Sequence, residues 1–492
     1  MIGTTIFHRF GLIAILVAFS VLAVINLASD LWFDEVFTIS NFVLTQRIGD
    51  IFSEYYVANN HMLYSAVLYT WLSLVPYVNE IVTRLPSYFF GLGTILVMFR
   101  VGTLFLDRSA GIYMALLMAF SPVFLSFFYQ VRGYGLTMLL ASLATLGTLH
   151  LAEGRRCRGL WLYGPAVLLL PSVIPTNVLL NGSLWLFLVF SAVCRGQWRK
   201  QIPVLFALGV LSVAGIAIYV PVWDQLVYVA VQTKGWESGT AVLGHWLLAL
   251  LAHAGLLVLV YPLLIHKITP KTSSRTTATV RSLPLLFACC FVPLAVVALW
   301  VSPYPRSLLV YLPACHICTF YTYRPIIARR PVTLLLLVTA VLTNTLICTQ
   351  LAAAKTRTEL AKGHYPQNLI QQYYYQSDHL STTTQHIAEQ NLATAQTRIY
   401  VDFHLFPTCR YYWVQQGRDP RQFECLQANP LHSPLYEPSK HGWAPQLILA
   451  YCLEKALADY RQITGYTVDV EALDSPTMLR IYRVIEPIRA EP

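Results

Sequence analysis

Two carboxylates stand side by side at Asp34 and Glu35, in a stretch whose neighbours are Trp32, Phe33, Val36 and Phe37. An acid set among aromatic side chains needs a partner, and one whose proton affinity is lifted by partial burial can take a proton from a hydroxyl. Adjacent positions on a helix do not face the same way, so one acid addresses a site while the other orients it or helps to hold a divalent cation. Downstream stand three isolated arginines, Arg84, Arg132 and Arg306, with His61 and Tyr134 as further polar candidates. Arginine grips phosphate through a planar, permanently charged fork. A carboxylate base together with guanidinium groups can displace a group from a phosphate: the acid deprotonates the incoming hydroxyl, and the arginines take the charge of the leaving phosphate.

The elements that must position these residues are set by composition. The chain has 492 residues, 56% hydrophobic and 12% charged, with mean hydropathy +0.54, which excludes an ordinary soluble protein. Its net charge of +10 does not indicate nucleic acid, because Lys and Arg gather in alternate connections between apolar segments, as in cytoplasmic loops. The first segment follows His8 and Arg9, is long for a signal peptide and lacks a small-x-small cleavage site, so it reads as an uncleaved span. The apolar segments predict about 11 transmembrane helices, near 10–29, 84–106, 110–129, 133–152, 160–176, 178–194, 202–222, 241–265, 283–301, 307–323 and 331–351. Residues 61–77 are assigned to a surface helix, since a crossing there would put the basic pairs that follow on the wrong side.

This order puts Arg155, Arg156, Arg158, Arg195, Arg199 and Lys200 in the cytoplasm with the amino terminus. Arg84, Arg132 and Arg306 then share the opposite face with a first loop of about 30–83. Residues 1–352 form the membrane domain, and 353–492 are polar enough to be a separate extracytoplasmic α/β domain. Strand-like runs begin at Arg398, Leu447 and Met478. Cys409, Cys425 and Cys452 in this tail could supply one disulfide in an oxidising compartment. The pair Cys315 and Cys318 lacks a second ligand pair and is read as apolar packing.

The Asp-Glu pair after the first span, the aromatic loop reaching Asn60-His61, then Arg84-Leu-Pro-Ser87, Ser121-Pro122 and Arg132-Gly-Tyr134 together resemble the GT-C glycosyltransferases. More narrowly they are similar to bacterial relatives of the protein O-mannosyltransferases, which include transferases acting on lipopolysaccharide core and lipid A. The resemblance covers roughly residues 1–330. It implies a polytopic helical enzyme of the bacterial inner membrane. Such an enzyme takes a sugar from a polyprenyl-phosphate donor to a hydroxyl on a lipid, glycan or protein acceptor at the outer face, with inversion. It also implies Asp34 as base and Arg84, Arg132 and Arg306 as ligands of the carrier phosphate. Some relatives carry Lys or Glu where this chain has Asn60-His61. Members differ in their use of a divalent metal; if one is held, Asp34 or Glu35 is its ligand. The rival classes are a polysaccharide polymerase or ligase and a transporter of lipid-linked sugar. Coupled transport fits less well, because the spans carry almost no internal charge and the two halves show no repeat.

Overall fold

A computed structural model describes residues 2–44, 47–55, 60–105, 108–232, parts of 283–317, a few positions between 350 and 362, and 380–401, 405–424 and 445–489. The chain divides into two compact units, one of residues 1–27 with 46–348 and the other of residues 28–45 with 349–492. From sequence, residues 30–45 were grouped with the membrane part; by contacts they group with the tail.

The first unit is helical. It comprises α1 (Ile2–Leu27), α3 (Met62–Leu74), α4 (Glu80–Phe105), α5 (Arg108–Ala119), α6 (Pro122–Phe127), α7 (Tyr134–Ala152), α8 (Arg156–Val173), α9 (Val178–Cys194), α10 (Trp198–Ile216) and α11 (Trp223–Gln232), with further short pieces. Among the described residues, five helical stretches are long and apolar enough to cross a membrane: Phe10–Leu27, Glu80–Leu104, Tyr134–Ala152, Pro175–Cys194 and Trp198–Tyr228. The expected spans near 241–265 and 331–351, and most of 283–301 and 307–323, lie outside the described residues. The helix of 13 residues at α3 reaches only about 20 Å, too short for a bilayer by itself.

The expected span 110–129 is broken instead of continuous. Ser121 precedes Pro122 and takes an extended backbone, because the proline ring disfavours the helical conformation in the residue before it. Several prolines lie inside helices and leave carbonyls without their usual N–H, and at two of them the fold supplies a replacement donor. Pro86 frees the carbonyl of Val82, which accepts from Trp71 Nε1 at 2.9 Å. Pro171 frees that of Val167, which accepts from Asn181 Nδ2 at 2.8 Å. Such substitution is what permits proline inside apolar helices. The helices α7 and α8 approach closely at Gly147, where a Cβ would stand 2.7 Å from the Tyr163 backbone nitrogen.

The second unit is α/β. Its sheet has the order β2-β1-β3-β5-β4, where β1 is Ile399–Val401, β2 Phe423–Glu424, β3 Leu447–Ala450, β4 Tyr466–Leu473 and β5 Arg480–Arg489. The strand β1 runs parallel to β2 and β3, whereas β5 is antiparallel to β3 and β4. The helices α12 (Leu380–Glu389), α13 (Phe406–Gln415) and α14 (Leu453–Thr464) accompany it. Tyr400, Ile448, Ala456, Tyr460 and Val468 form a core between sheet and α14. Each of the three runs read as strands contains one, while β2 and β4 were not foreseen. Cys409 and Cys452 are free thiols, and Cys425 lies outside the described residues.

Candidate functional site

In the second unit the acid pair opens a short helix, α2 (Phe33–Thr38), which continues as a π-helical stretch over Ile39–Val43. Trp32 is the residue before the first turn, so Glu35 is the third helical position. Its Oε2 accepts the Trp32 backbone N–H at 3.2 Å, the reciprocal half of a capping box. Glu35 is fully buried and Asp34 is 8% exposed. Both acids are thus buried, and Glu35 ties down the helix start.

The segment just ahead of this helix is held by the tail. The Leu31 backbone N–H donates to the Tyr412 hydroxyl at 2.7 Å. Asp30 receives the backbone N–H of Ser381 at 2.9 Å and its hydroxyl at 2.6 Å, which places a carboxylate on the amino end of α12. Burial, with the Asp30 charge adding to it, pushes the neighbouring Cys409 thiol well up.

In the first unit three further candidates meet. His61 is the residue preceding α3. Its Nδ1 accepts the Gly133 backbone N–H at 2.7 Å, while its Nε2 lies 3.3 Å from Arg132 Nη2. The backbone N–H can only donate, so Nδ1 is the acceptor and the proton of the neutral ring sits on Nε2. Two donors, Nε2–H and the Arg132 guanidinium, therefore face the same small region, an arrangement that an anionic oxygen satisfies. Tyr134 packs edge-on against His61 with ring centroids 5.2 Å apart, and the Arg132 guanidinium lies 5.7 Å from the centre of the Tyr134 ring. Arg132 is 1% exposed and His61 5%.

Gly133 makes this possible, since a Cβ there would stand 2.4 Å from Val173 Cγ1 and 2.9 Å from His61 Nδ1. Behind it, the Tyr64 hydroxyl pairs with Ser87 Oγ at 2.7 Å, and Ser87 Oγ reaches the Gln130 carbonyl at 2.7 Å. Asn60 orders the preceding loop by donating to the carbonyls of Ile51 and Glu54 at 2.8 and 3.0 Å.

Arg84 is fully buried, one turn into α4. Its Nη1 donates to the carbonyls of Asn26 and Leu27 at 3.1 Å each, the end of α1, where a cation is favoured. Its guanidinium also lies 5.3 Å from the Tyr129 ring centre. This gives Arg84 a structural task besides any role toward phosphate. Arg306 lies outside the described residues. Tyr55 is 3% exposed; burial raises its phenol pKa, and the charge of Arg132 opposes the shift. Hydropathy alone gave no sign of this, though the flanking Glu54 and Asn60 are polar enough to have marked the loop. Among the described residues no three His, Cys, Asp or Glu side chains gather as a metal site.

No protein-family model matches the chain, and no curated protein matches its sequence. Two solved structures of ArnT from Cupriavidus metallidurans do share its fold. The one bound to undecaprenyl phosphate has TM-score 0.54 and 14% identity, covering 98% of this chain and 99% of that one. The apo structure has TM-score 0.53 and 14% identity, covering 97% and 98%. The likeness runs through the helical unit and the tail alike, so the chain shares the fold of these structures over nearly its whole length.

Proposed function

We propose that the protein is an integral membrane glycosyltransferase that moves a sugar from a polyprenyl-phosphate donor to a hydroxyl acceptor, with inversion, at the extracytoplasmic face of a bacterial inner membrane. The observation that carries this reading is the paired presentation of Nε2–H from His61 and the guanidinium of Arg132, fixed by the Gly133 N–H. Support for the carrier comes from the fold shared with a protein solved with undecaprenyl phosphate bound.

In the proposed reaction the acceptor oxygen attacks the anomeric carbon and its proton passes to the Asp34 carboxylate. The bond from that carbon to the phosphate oxygen breaks, and the phosphate leaves with an added negative charge. Arg132 and His61 stabilise that charge, with Tyr134 fixing the His61 ring and the arginine plane. The membrane domain of about 11 spans, the cytoplasmic amino terminus and the outward-facing tail belong to the same proposal, as does Arg306 as a further phosphate ligand.

The test uses purified full-length protein in nanodiscs. Undecaprenyl phosphate binds the unsubstituted protein, and Arg132→Gln weakens that binding by about 10–100-fold, the worth of one charge-assisted contact. Asp34→Asn leaves carrier binding intact and removes transfer of labelled sugar from cell-derived lipid donors. Full transfer by Asp34→Asn overturns its role as base. Net movement of intact lipid-linked sugar across the bilayer, without transfer, favours a transporter instead.

A further inference from the structure

At the other end of the helical unit, three candidate spans stop together, at Ala152, Cys194 and Trp198. Between them lies a shallow cleft that opens to the surface. Its lining is mixed, with Leu151 and Leu188 among the apolar residues and Ser191, Arg195, Gln197 and Gln201 the polar ones. Arg195 Nη1 donates to the carbonyl of Ala152 at the end of α7. Its second terminal nitrogen, Nη2, is buried and has no hydrogen-bond partner, and neither has the Ser191 hydroxyl, on a residue only 4% exposed. Two buried donors without acceptors in one cleft carry an unfavourable desolvation that an incoming anion relieves.

The surroundings describe the anion. Arg155, Arg156, Arg158, Arg199 and Lys200 are all exposed at this end. Glu153, the residue after Ala152, is paired with Arg155 at 2.9 Å. Trp198 and Trp161 are exposed as well, as aromatic residues are at the level of lipid headgroups. A free phosphate would use only the polar part of this lining; a lipid headgroup with its acyl chain uses the polar and the apolar residues together.

We propose that this cleft seats the anionic headgroup of a membrane glycerophospholipid. Arg195 Nη2 and Ser191 Oγ donate to its phosphodiester oxygens, and Leu151 and Leu188 lie against the start of an acyl chain. The exposed cations draw anionic lipid to this end of the protein, and the cleft selects one molecule from that layer. The site stands apart from the sugar-transfer residues and holds whatever the chemistry there.

Native mass spectrometry of the delipidated full chain in detergent tests it, with phosphatidylglycerol, phosphatidylcholine and glycerol 1-phosphate as probes. One phosphatidylglycerol is retained in preference to phosphatidylcholine, and glycerol 1-phosphate at the same concentration is not retained. Arg195→Gln lowers retention about tenfold. Ser191→Ile, which fills the polar part of the lining but keeps every charge, lowers it as well and serves if Arg195→Gln does not fold. Arg158→Gln, which removes an equal charge outside the cleft, leaves retention unchanged. Equal losses from Arg158→Gln and Arg195→Gln would mean diffuse attraction and no site. Equal retention of phosphatidylcholine, or of glycerol 1-phosphate, would likewise overturn the assignment, the latter in favour of a free phosphate ester.

Discussion

Replacing Gly133 by alanine tests how the His61–Arg132 arrangement is built. The new Cβ would meet Val173 Cγ1 at 2.4 Å, whereas carbon atoms in contact sit about 3.5–4.0 Å apart. Val173 is fully buried and, being β-branched, has few rotamers to escape into, so the overlap of about 1 Å costs about 1–3 kcal/mol as overpacking. The same Cβ lies 2.9 Å from His61 Nδ1 and must push the ring off the Gly133 N–H, now 2.7 Å away. Weakening that bond removes a further amount of about 0.5–1.5 kcal/mol.

The two terms separate on a Val173→Ala background, where the first collision is gone and only the second remains. Unfolding in detergent, followed by intrinsic fluorescence, should give Gly133→Ala a loss of about 2–4 kcal/mol alone but only about 1 kcal/mol beside Val173→Ala. Binding of undecaprenyl phosphate should fall in both, because the histidine is displaced in both. Equal destabilisation on the two backgrounds, or unaltered carrier binding in the single variant, would refute the reasoning.

Three other outcomes are expected. Asp30→Ala removes the carboxylate at the start of α12 and should destabilise the second unit by about 1–2 kcal/mol in thermal unfolding, with Asp30→Asn intermediate; an unchanged midpoint would show that the contact with Ser381 contributes nothing. Asn181→Leu strands the Val167 carbonyl that Pro171 leaves free and should cost about 1–3 kcal/mol, measured by unfolding in detergent, whereas a Pro171→Ala partner substitution should recover part of it by restoring an N–H to that carbonyl. Hydrogen bonds from the Arg421 side chain and backbone hold the Asp419 carboxyl at about 2, so its contribution is present above the ordinary carboxylate range and is lost as the pH falls towards that value; carboxyl NMR should show Arg421→Ala raising it part of the way to the ordinary range, because the backbone N–H of residue 421 still donates.

What was legible in the sequence follows from which signals are local. The acid pair could be seen, and helix register, which separates neighbours whatever surrounds them, puts Glu35 at the capping position. Arg132 and His61 could be singled out as polar residues near apolar runs, but their meeting could not. It depends on a glycine whose absent side chain makes room and on a backbone N–H that fixes the tautomer. Arg84 had the right type and place for a phosphate ligand, yet its hydrogen bonds to the end of α1 come from packing between segments 57 and 58 residues apart. Among the described residues hydropathy located the long apolar helices and overran at Ser121-Pro122, since apolar composition continues across a break that the proline ring makes by local sterics. The edge strand β2 has two residues and too little pattern to be seen.

The boundary near residue 352, drawn where composition changes, misses that residues 28–45 group by contacts with the tail. Composition reports solvent and cannot report which distant segment a loop packs on. Leu31 is joined to Tyr412 and Asp30 to Ser381 across 381 and 351 residues of sequence, both within four positions of Asp34. Removing residues 353–492 would therefore strip the acid's segment of its anchors at the same moment as it removed any surface for choosing an acceptor, and loss of transfer in such a truncation could not tell the two apart. Tyr412→Phe does so. It deletes one hydroxyl acceptor, leaves the Leu31 N–H unsatisfied at a cost of about 1–3 kcal/mol, and keeps the tail's outer surface. Under the proposed mechanism its transfer rate falls while acceptor preference stays the same; a changed preference with an unchanged rate would mean that the tail selects and does not position.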